Sequence, residues 1–145
     1  MPVNMKSRES RDITANVVNR MPVRVGDKLS LLPLRDILWI QSKGDLICLH
    51  SQVSDYDCRM TMTEVQTKLD PSDFLRVHRN AIVNLSHVVE FSLPRGGNAF
   101  VYLNNGKSLP ISRTGRFALR RYLASYSRVQ SNPRAKVVKE ATRAR

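Results

Sequence analysis

The sequence predicts a mainly β, antiparallel fold with one short internal helix and an amphipathic C-terminal helix. The first observation is that the apolar runs are short, rich in Val, Ile, Leu and aromatic residues, and separated by turn signals. The second is that four pairs of these runs flank segments with the composition of hairpin turns. The third is that only two segments have apolar residues at helical spacing.

The predicted hairpins follow one another along the chain. Their strand pairs are 22–25 with 28–32, 37–41 with 46–50, 88–93 with 99–103, and 99–103 with 108–111. The first pair is joined by Gly26-Asp27, a typical two-residue hairpin turn. The strands are too short for ordinary helices, so antiparallel sheet is the expected architecture.

The internal helix is expected to begin at Thr61, because Thr61 and Glu64 have the spacing of a capping box. Its end is expected at Asp70-Pro71, since proline cannot continue a helix. Its apolar face would consist of Met62, Val65 and Leu69.

The C-terminal helix is predicted from about Thr114 to Tyr126, with Ser112 or Thr114 as its cap. Apolar residues at spacings of three and four define one side of it. That side consists of Phe117, Leu119, Tyr122, Leu123 and Tyr126, together with Arg121. The other arginines of the segment project elsewhere.

The folded unit is expected to span residues 21–126. All nine aromatic residues and all six glycines lie within it, so 1–20 is predicted to be a flexible basic arm and 127–145 a disordered basic tail. The net charge is +12, and residues 74–126 alone carry eight basic groups and one acidic group. This uneven excess indicates a local anion-binding face.

Several function classes are disfavoured. The longest apolar run has five residues, and residues 1–20 lack the apolar core of a secretory signal, so a cytoplasmic location without a membrane partner is expected. Two cysteines are too few for a zinc-thiolate site, the histidines lack metal-ligand spacing, and there is no Gly-rich phosphate loop. We therefore expect no enzymatic activity, no metal, no cofactor and no small-molecule substrate.

Two segments carry side chains suited to nucleic acid. Segment 74–84 places Arg, His, Arg and Asn between apolar anchors, and Arg and Asn bind base edges or phosphate. At 109–116 a predicted strand meets a helix start, where free N–H groups favour a phosphate. The alternatives are solvated arginines with Asn84 capping a turn in the first segment, and an ordinary capped helix in the second.

Two further features are weaker. Lys43 lies at a predicted hairpin tip, where a loop could enter a groove, although a solvated turn residue is the simpler interpretation. The basic tail could follow phosphates or serve only to keep the chain soluble.

The residues FLRVHRNAIVNLSHV, followed by VYLNNGKSLPISR and an amphipathic helix, closely resemble the LytTR family, whose members are the DNA-binding domains of many bacterial response regulators. The resemblance covers about 22–124. It implies an elongated antiparallel β fold that binds double-stranded DNA through loops entering successive major grooves. It also implies transcriptional regulation, recognition of paired repeats and occupancy by a homodimer on DNA.

The resemblance implies a set of contact residues by position. The first loop is 42–45, the second His78 to Asn80, and the third the start of the last helix. The implied DNA-binding residues are Lys43, His78, Arg79, Asn80, Arg113 and Arg116, with secondary phosphate contacts from Arg95 and Lys107.

The chain departs from the family in two respects. Many LytTR domains follow a receiver domain that accepts a phosphoryl group, and twenty residues cannot form one, so we expect a stand-alone regulator or a fragment. Gly115 stands where the family more often has a longer side chain. Because glycine weakens helices, we expect a loose junction there.

Two other functions remain open. One is an RNA-binding or ribosome-associated basic protein, which would stack bases on exposed aromatic side chains. Its candidates lie in runs expected to be buried: Phe74, Phe91, Phe100 and Tyr102. The other is a protein-interaction module that sequesters a partner regulator without binding DNA.

Overall fold

The computed structural model describes residues 19–130, including side chains as far as Ser125. Within this range the strands are β1 (Arg20–Val25), β2 (Lys28–Pro33), β3 (Ile37–Lys43), β4 (Leu46–Ser51), β5 (Asp55–Cys58), β6 (Phe74–His78), β7 (Ala81–Asn84), β8 (Val88–Ser92), β9 (Ala99–Leu103) and β10 (Ser108–Ile111). The helices are α1 (Met62–Thr67) and α2 (Arg113–Gln130), with short 3-10 helices at Leu34–Asp36 and Leu85–His87. The prediction of a mainly β fold with one short internal helix and a C-terminal helix is confirmed.

A five-stranded antiparallel sheet, in the order β5-β4-β3-β7-β6, lies at the centre of the molecule. The β1–β2 hairpin and the three-stranded sheet β10-β9-β8 are separate from it. Alternate residues of a strand point to opposite faces. In β7, for example, Ile82 packs on one face while Ala81 and Val83 pack on the other. The central sheet is therefore buried on both sides.

Each face of the central sheet has its own hydrophobic cluster. One cluster is covered by β1–β2 and α1, and it includes Met21, Val23, Ile40, Val65 and Ile82. The other is covered by β8–β10 and α2, and it includes Trp39, Val77, Val83, Val101 and Leu119. A β-bulge between Ile37 and Trp39 shifts the register of β3 against β4. Consequently Ile37 and Trp39, although two residues apart, belong to different clusters.

The local signals for turns and caps are confirmed. The turn between β3 and β4 is tighter than expected, because the strands extend to Lys43 and begin again at Leu46. Gly44 adopts a φ of 63° in this turn, a conformation that glycine tolerates without steric cost. The capping box of α1 is complete: the Glu64 N–H donates to Thr61 Oγ1, and the Thr61 N–H donates to Glu64 Oε1. The helix ends at Thr67, earlier than predicted.

Two aromatic side chains in apolar patterns are exposed, and for Tyr102 the expectation of burial is wrong. Phe117 is 67% exposed, because the buried side of α2 is formed by Ala118, Leu119, Tyr122 and Leu123. The helical spacing identified the apolar side of the helix, but it did not show which of the residues on that side pack against the core. Tyr102 is also exposed, since it alternates with the buried Val101 and Leu103 on β9.

The other three aromatic residues considered as base-stacking candidates are closer to the expected burial. Phe74 is buried, while Phe91 and Phe100 are half-buried.

The two terminal arms lie outside the described residues, apart from residues 19–20 and the helical residues 127–130. Helix α2 begins one residue before the predicted start and continues to Gln130, four residues past the predicted end. Neither α-helix in the described part of the chain has the length and apolarity that a membrane span requires.

Candidate nucleic-acid interface

Two tight turns lie side by side at one end of the central sheet. They join β3 to β4 and β6 to β7. Since β3 pairs antiparallel with both β4 and β7, both turns leave the sheet at the C-terminal end of β3. The N–H of Ser42 donates to the carbonyl oxygen of Asn80 at 3.0 Å and links the two turns directly.

The first turn of α2 is docked at the same end of the sheet. The Ser112 N–H donates to the Val77 carbonyl oxygen at 2.9 Å, and Val77 immediately precedes His78 of the β6–β7 turn. Ser112 Oγ accepts the Gly115 N–H at 3.0 Å and caps the helix. Of the two predicted caps, the structure therefore uses Ser112. All three predicted contact loops converge at this end of the molecule, which we call the turn end.

Gly115 determines how closely α2 approaches the sheet. A Cβ at this position would overlap the carbonyl group of Val77 and lie 3.0 Å from the Val77 Cα. The expectation of a loose junction is therefore wrong. The missing side chain lets the helix backbone rest directly on β6, so the junction is tight.

The β6–β7 turn presents one arginine to solvent and uses another to hold its own backbone. Arg76 donates from Nη2 to the Arg79 carbonyl oxygen at 2.7 Å and from Nη1 to Gln66 Oε1 at 3.0 Å. The Asn80 N–H donates to His78 Nδ1 at 3.2 Å. The Arg79 guanidinium is exposed and forms no hydrogen bond or ion pair with any side chain or backbone group that the structure describes. Arg76 and His78 thus position the turn, while Arg79 is available to a ligand.

The β3–β4 turn has a mixed charge. Lys43 Nζ lies 3.8 Å from Asp57 Oδ1, and Asp45 lies 4.0 Å from Arg59. Arg59 follows β5 and reaches the turn end by the register of β5 on β4, which the sequence did not reveal. Each of these basic groups has an acidic neighbour, so this turn attracts an anion less strongly than the other two segments.

The start of α2 lines an open groove of about 790 Å³. Its basic residues are Arg113, Arg116 and Arg120, and none of the described residues that line it is acidic. Arg116 donates from Nη2 to the Gly97 carbonyl oxygen at 2.6 Å and so ties α2 to the β8–β9 loop. Arg113 is exposed. Arg120 was not selected from the sequence, although its spacing of four from Arg116 places both on one side of the helix.

The two predicted secondary contacts lie in different places. Arg95 belongs to the β8–β9 loop, which Arg116 brings to the turn end. Lys107 lies over the Trp39 ring, 5.4 Å from its centroid. In the adjoining turn, the Asn104 N–H donates to the carbonyl oxygen of His87. The Nε2 of His87 in turn contacts the carbonyl oxygen of Arg35, which lies just before β3. Lys107 is therefore located toward the opposite end of the central sheet.

Comparison with known proteins gives a consistent result. A family model described as the LytTr DNA-binding domain matches residues 27–124. The chain is 26% identical over 111 residues to the transcriptional regulatory protein LytR of Staphylococcus aureus (strain MW2), covering 77% of this chain and 45% of that protein. It is 28% identical over 116 residues to the CO-responsive transcriptional regulator RcoM of Rhodospirillum rubrum, covering 79% and 49%. The chain thus spans less than half the length of these curated relatives.

The fold is also similar to a solved LytTr DNA-binding domain from Bacillus cereus. The TM-score is 0.67, and the match covers 73% of this chain and 97% of the other. The sequence identity is 18%, so this likeness concerns the fold.

Proposed function

We propose that this chain, which belongs to the LytTR family of DNA-binding domains, recognises specific double-stranded DNA sequences and regulates bacterial transcription. The observation that carries the proposal is the convergence of Arg79 and Arg113 at the turn end, both exposed and both on rigidly held backbone. An exposed arginine on a rigid turn can form the bidentate contact to guanine that distinguishes base pairs in the major groove.

The proposed roles follow from what each side chain already contacts. Arg79 and Arg113 read bases or set the register on DNA, with Asn80 and Lys43 as secondary contacts. Arg116 has one nitrogen committed to Gly97, so its remaining donors serve a phosphate. Arg95 contributes to the same phosphate track, and Lys107 reaches only a phosphate further along the duplex.

The β6–β7 turn and the start of α2 project from the same end of the sheet, so both can contact one DNA duplex. Entry of the contact loops into successive major grooves, which the family resemblance implies, is part of the proposal. Recognition of paired repeats, with two copies of the chain on one DNA, is part of the proposal.

The first experiment selects binding sites from random duplexes of about 30 base pairs at about 150 mM salt, where weak electrostatic binding is suppressed. Enrichment of a short motif is the expected result. Recovery of DNA without any enriched motif would contradict sequence-specific recognition.

The second experiment measures Arg79→Ala on the selected site and on a random duplex. We expect a loss of about 1–3 kcal/mol on the selected site and a smaller loss on the random duplex. The matched control is Arg35→Ala, an exposed arginine at the opposite end of the sheet, which should leave the difference between the two affinities unchanged. Equal weakening of both duplexes by Arg79→Ala would assign Arg79 to phosphate instead.

One observation favours single-stranded RNA as a second candidate ligand. Phe117 is exposed and lines the groove together with Arg113 and Arg120. Aromatic side chains beside arginines are typical of surfaces on which unpaired bases stack. If this ligand is the true one, single-stranded RNA will compete the duplex away, and Phe117→Ala will weaken the RNA complex more than the duplex complex.

A further inference from the structure

A second group of chemically reactive side chains lies on one face of β4 and β5. Cys48 and His50 alternate on β4, and Asp55 and Asp57 alternate on β5. The strand register pairs His50 with Asp55 and Cys48 with Asp57. Because residues two apart in a strand share a face, a thiol, an imidazole and two carboxyl groups meet there.

The ligand atoms of three of these residues are already close together. Cys48 Sγ lies 4.0 Å from His50 Nδ1, and His50 Nδ1 lies 3.0 Å from Asp55 Oδ1. All three ligand atoms lie within 4.8 Å of one another. A tetrahedral zinc ion with ordinary bond lengths separates such atoms by about 3.3–3.7 Å. Asp55 is 62% exposed, so it can make the small adjustment that coordination requires.

His50 is held in the orientation that a metal ligand needs. Its Nε2 lies 2.8 Å from Gln41 Oε1, and donation to that oxygen leaves Nδ1 to face the cluster. The ring also stacks on Trp39, with centroids 4.4 Å apart and planes 13° from parallel. Metal-bound histidines typically donate a hydrogen bond from the second ring nitrogen, as Nε2 does here to Gln41.

We propose that Cys48, His50 and Asp55 form a site for a divalent transition-metal ion, with Zn²⁺ as the ion that best fits these ligands. Thiolate, imidazole and carboxylate together suit zinc, whereas magnesium and calcium prefer oxygen ligands only. Asp57 or a water molecule would complete a tetrahedron. The sequence predicted no metal site, because the ligands come from two strands and β5 was not foreseen.

The surroundings of Cys48 determine how its thiol responds to a bound ion. Burial, followed by the negative charges of Asp55 and Asp57, raises the pKa of the Cys48 thiol from 9.0 to about 11. A bound dication would offset the carboxylate charges and favour the thiolate. Because the Cys48 thiol must lose its proton to coordinate the ion, binding should release a proton and strengthen with pH.

The test uses Co²⁺ as a spectroscopic probe on the purified full chain under reducing conditions. A thiolate-to-cobalt charge-transfer band should appear, saturate at one equivalent of Co²⁺ and disappear when Zn²⁺ is added. Cys48→Ser should abolish the band. Cys58→Ser, which alters the other buried free cysteine, should retain it.

A variant on the exposed side of the cluster makes the test independent of core packing. Asp55→Asn should lower the Co²⁺ affinity by at least about tenfold with the fold intact by circular dichroism. Asp45→Asn, an exposed carboxylate outside the cluster, should leave the affinity unchanged.

The proposal is overturned if the folded wild-type chain shows no charge-transfer band. It is equally overturned if the band survives in Cys48→Ser, or if Asp55→Asn binds Co²⁺ as tightly as the wild type. None of these readouts depends on DNA binding.

Discussion

The β6–β7 turn and the first turn of α2 occupy the same end of β6, and each presents one exposed arginine, but they are held in place differently. The turn is held by polar side chains, through Arg76 and His78. The helix start is held by backbone contact, because Gly115 rests on Val77 and Ser112 caps the helix. Polar contacts tolerate partial loss, whereas two backbones in direct contact leave no room for a side chain. The helix start should therefore be far more sensitive to substitution.

The largest effect is expected for Gly115→Ala. The added methyl group overlaps the Val77 carbonyl, so α2 must move away from the sheet. We expect a loss of about 3 kcal/mol in the free energy of unfolding, at the upper end for overpacking, together with weaker DNA binding. Urea denaturation and a DNA titration measure the two effects.

The matched control is Gly96→Ala in the β8–β9 loop, where an added Cβ meets no atom within 4 Å. It should change the free energy of unfolding by less than about 0.5 kcal/mol. If both alanine variants were equally stable, direct backbone contact would not explain the α2 junction.

The next largest effect is expected for Ser112→Ala. This change removes the hydroxyl that accepts the Gly115 N–H, and losing such a cap costs about 1 kcal/mol. Thr114→Ala alters an exposed hydroxyl in the same helical turn and should be nearly neutral. Thermal denaturation distinguishes them, and equal melting temperatures for the two variants would assign no stabilising role to the cap.

A smaller effect on stability is expected for Arg76→Met. The variant keeps an apolar stem but loses the hydrogen bonds to Arg79 and Gln66, and because both bonds are exposed to solvent we expect a total loss of about 0.5 kcal/mol. Because the turn backbone becomes less ordered, the variant should bind the selected DNA less preferentially over random DNA. This loss of preference, expressed as a free energy, should exceed the loss in the free energy of unfolding. Gln66→Ala removes only one of the two contacts and should keep the preference. An unchanged preference in Arg76→Met would show that Arg79 does not need this support.

The smallest effect is expected from acid, at the turn that precedes β6. The Ser72 N–H and hydroxyl donate to the Asp70 carboxylate at 2.9 and 2.7 Å and lower its pKa. A lowered folded-state pKa contributes stability above the unfolded value, and that stability is lost as the pH falls through the folded value. Burial raises the pKa of Asp73, so its protonation partly offsets this loss.

The difference in melting temperature between the wild type and Asp70→Asn should therefore be present at neutral pH and shrink below about pH 4. The start of α2 has no acidic residue in its first turn and should not contribute to this change. A difference that stayed constant with pH would exclude the Asp70 charge as its cause.

Much of the fold could be predicted from local signals. The turn at Gly26-Asp27 and the capping box at Thr61 involve residues within three positions of one another, so both could be predicted from the order of residues in the chain. β5 was missed because Asp55 and Asp57 are poor strand formers. The strand forms because it pairs with the buried β4.

The candidate interface was predicted in part. The segments carrying Lys43, Arg79 and Arg113 were selected from their residues and from the family resemblance, and the structure brings them to one end. The separate tasks of Arg76 and Arg79 could not be predicted, since both are arginines in one basic segment. Only the hydrogen bond from Arg76 to the Arg79 carbonyl separates them.

The sequence by itself determined the hairpins, the capped helix and the excess of positive charge in the second half of the folded unit, because each depends on neighbours along the chain. Tertiary structure alone decided that Phe117 faces solvent, that Gly115 is a point of contact, and that Cys48, His50 and Asp55 meet. Each of these depends on which strands pair in which register or on which surfaces pack together, and neither can be deduced from neighbours along the chain.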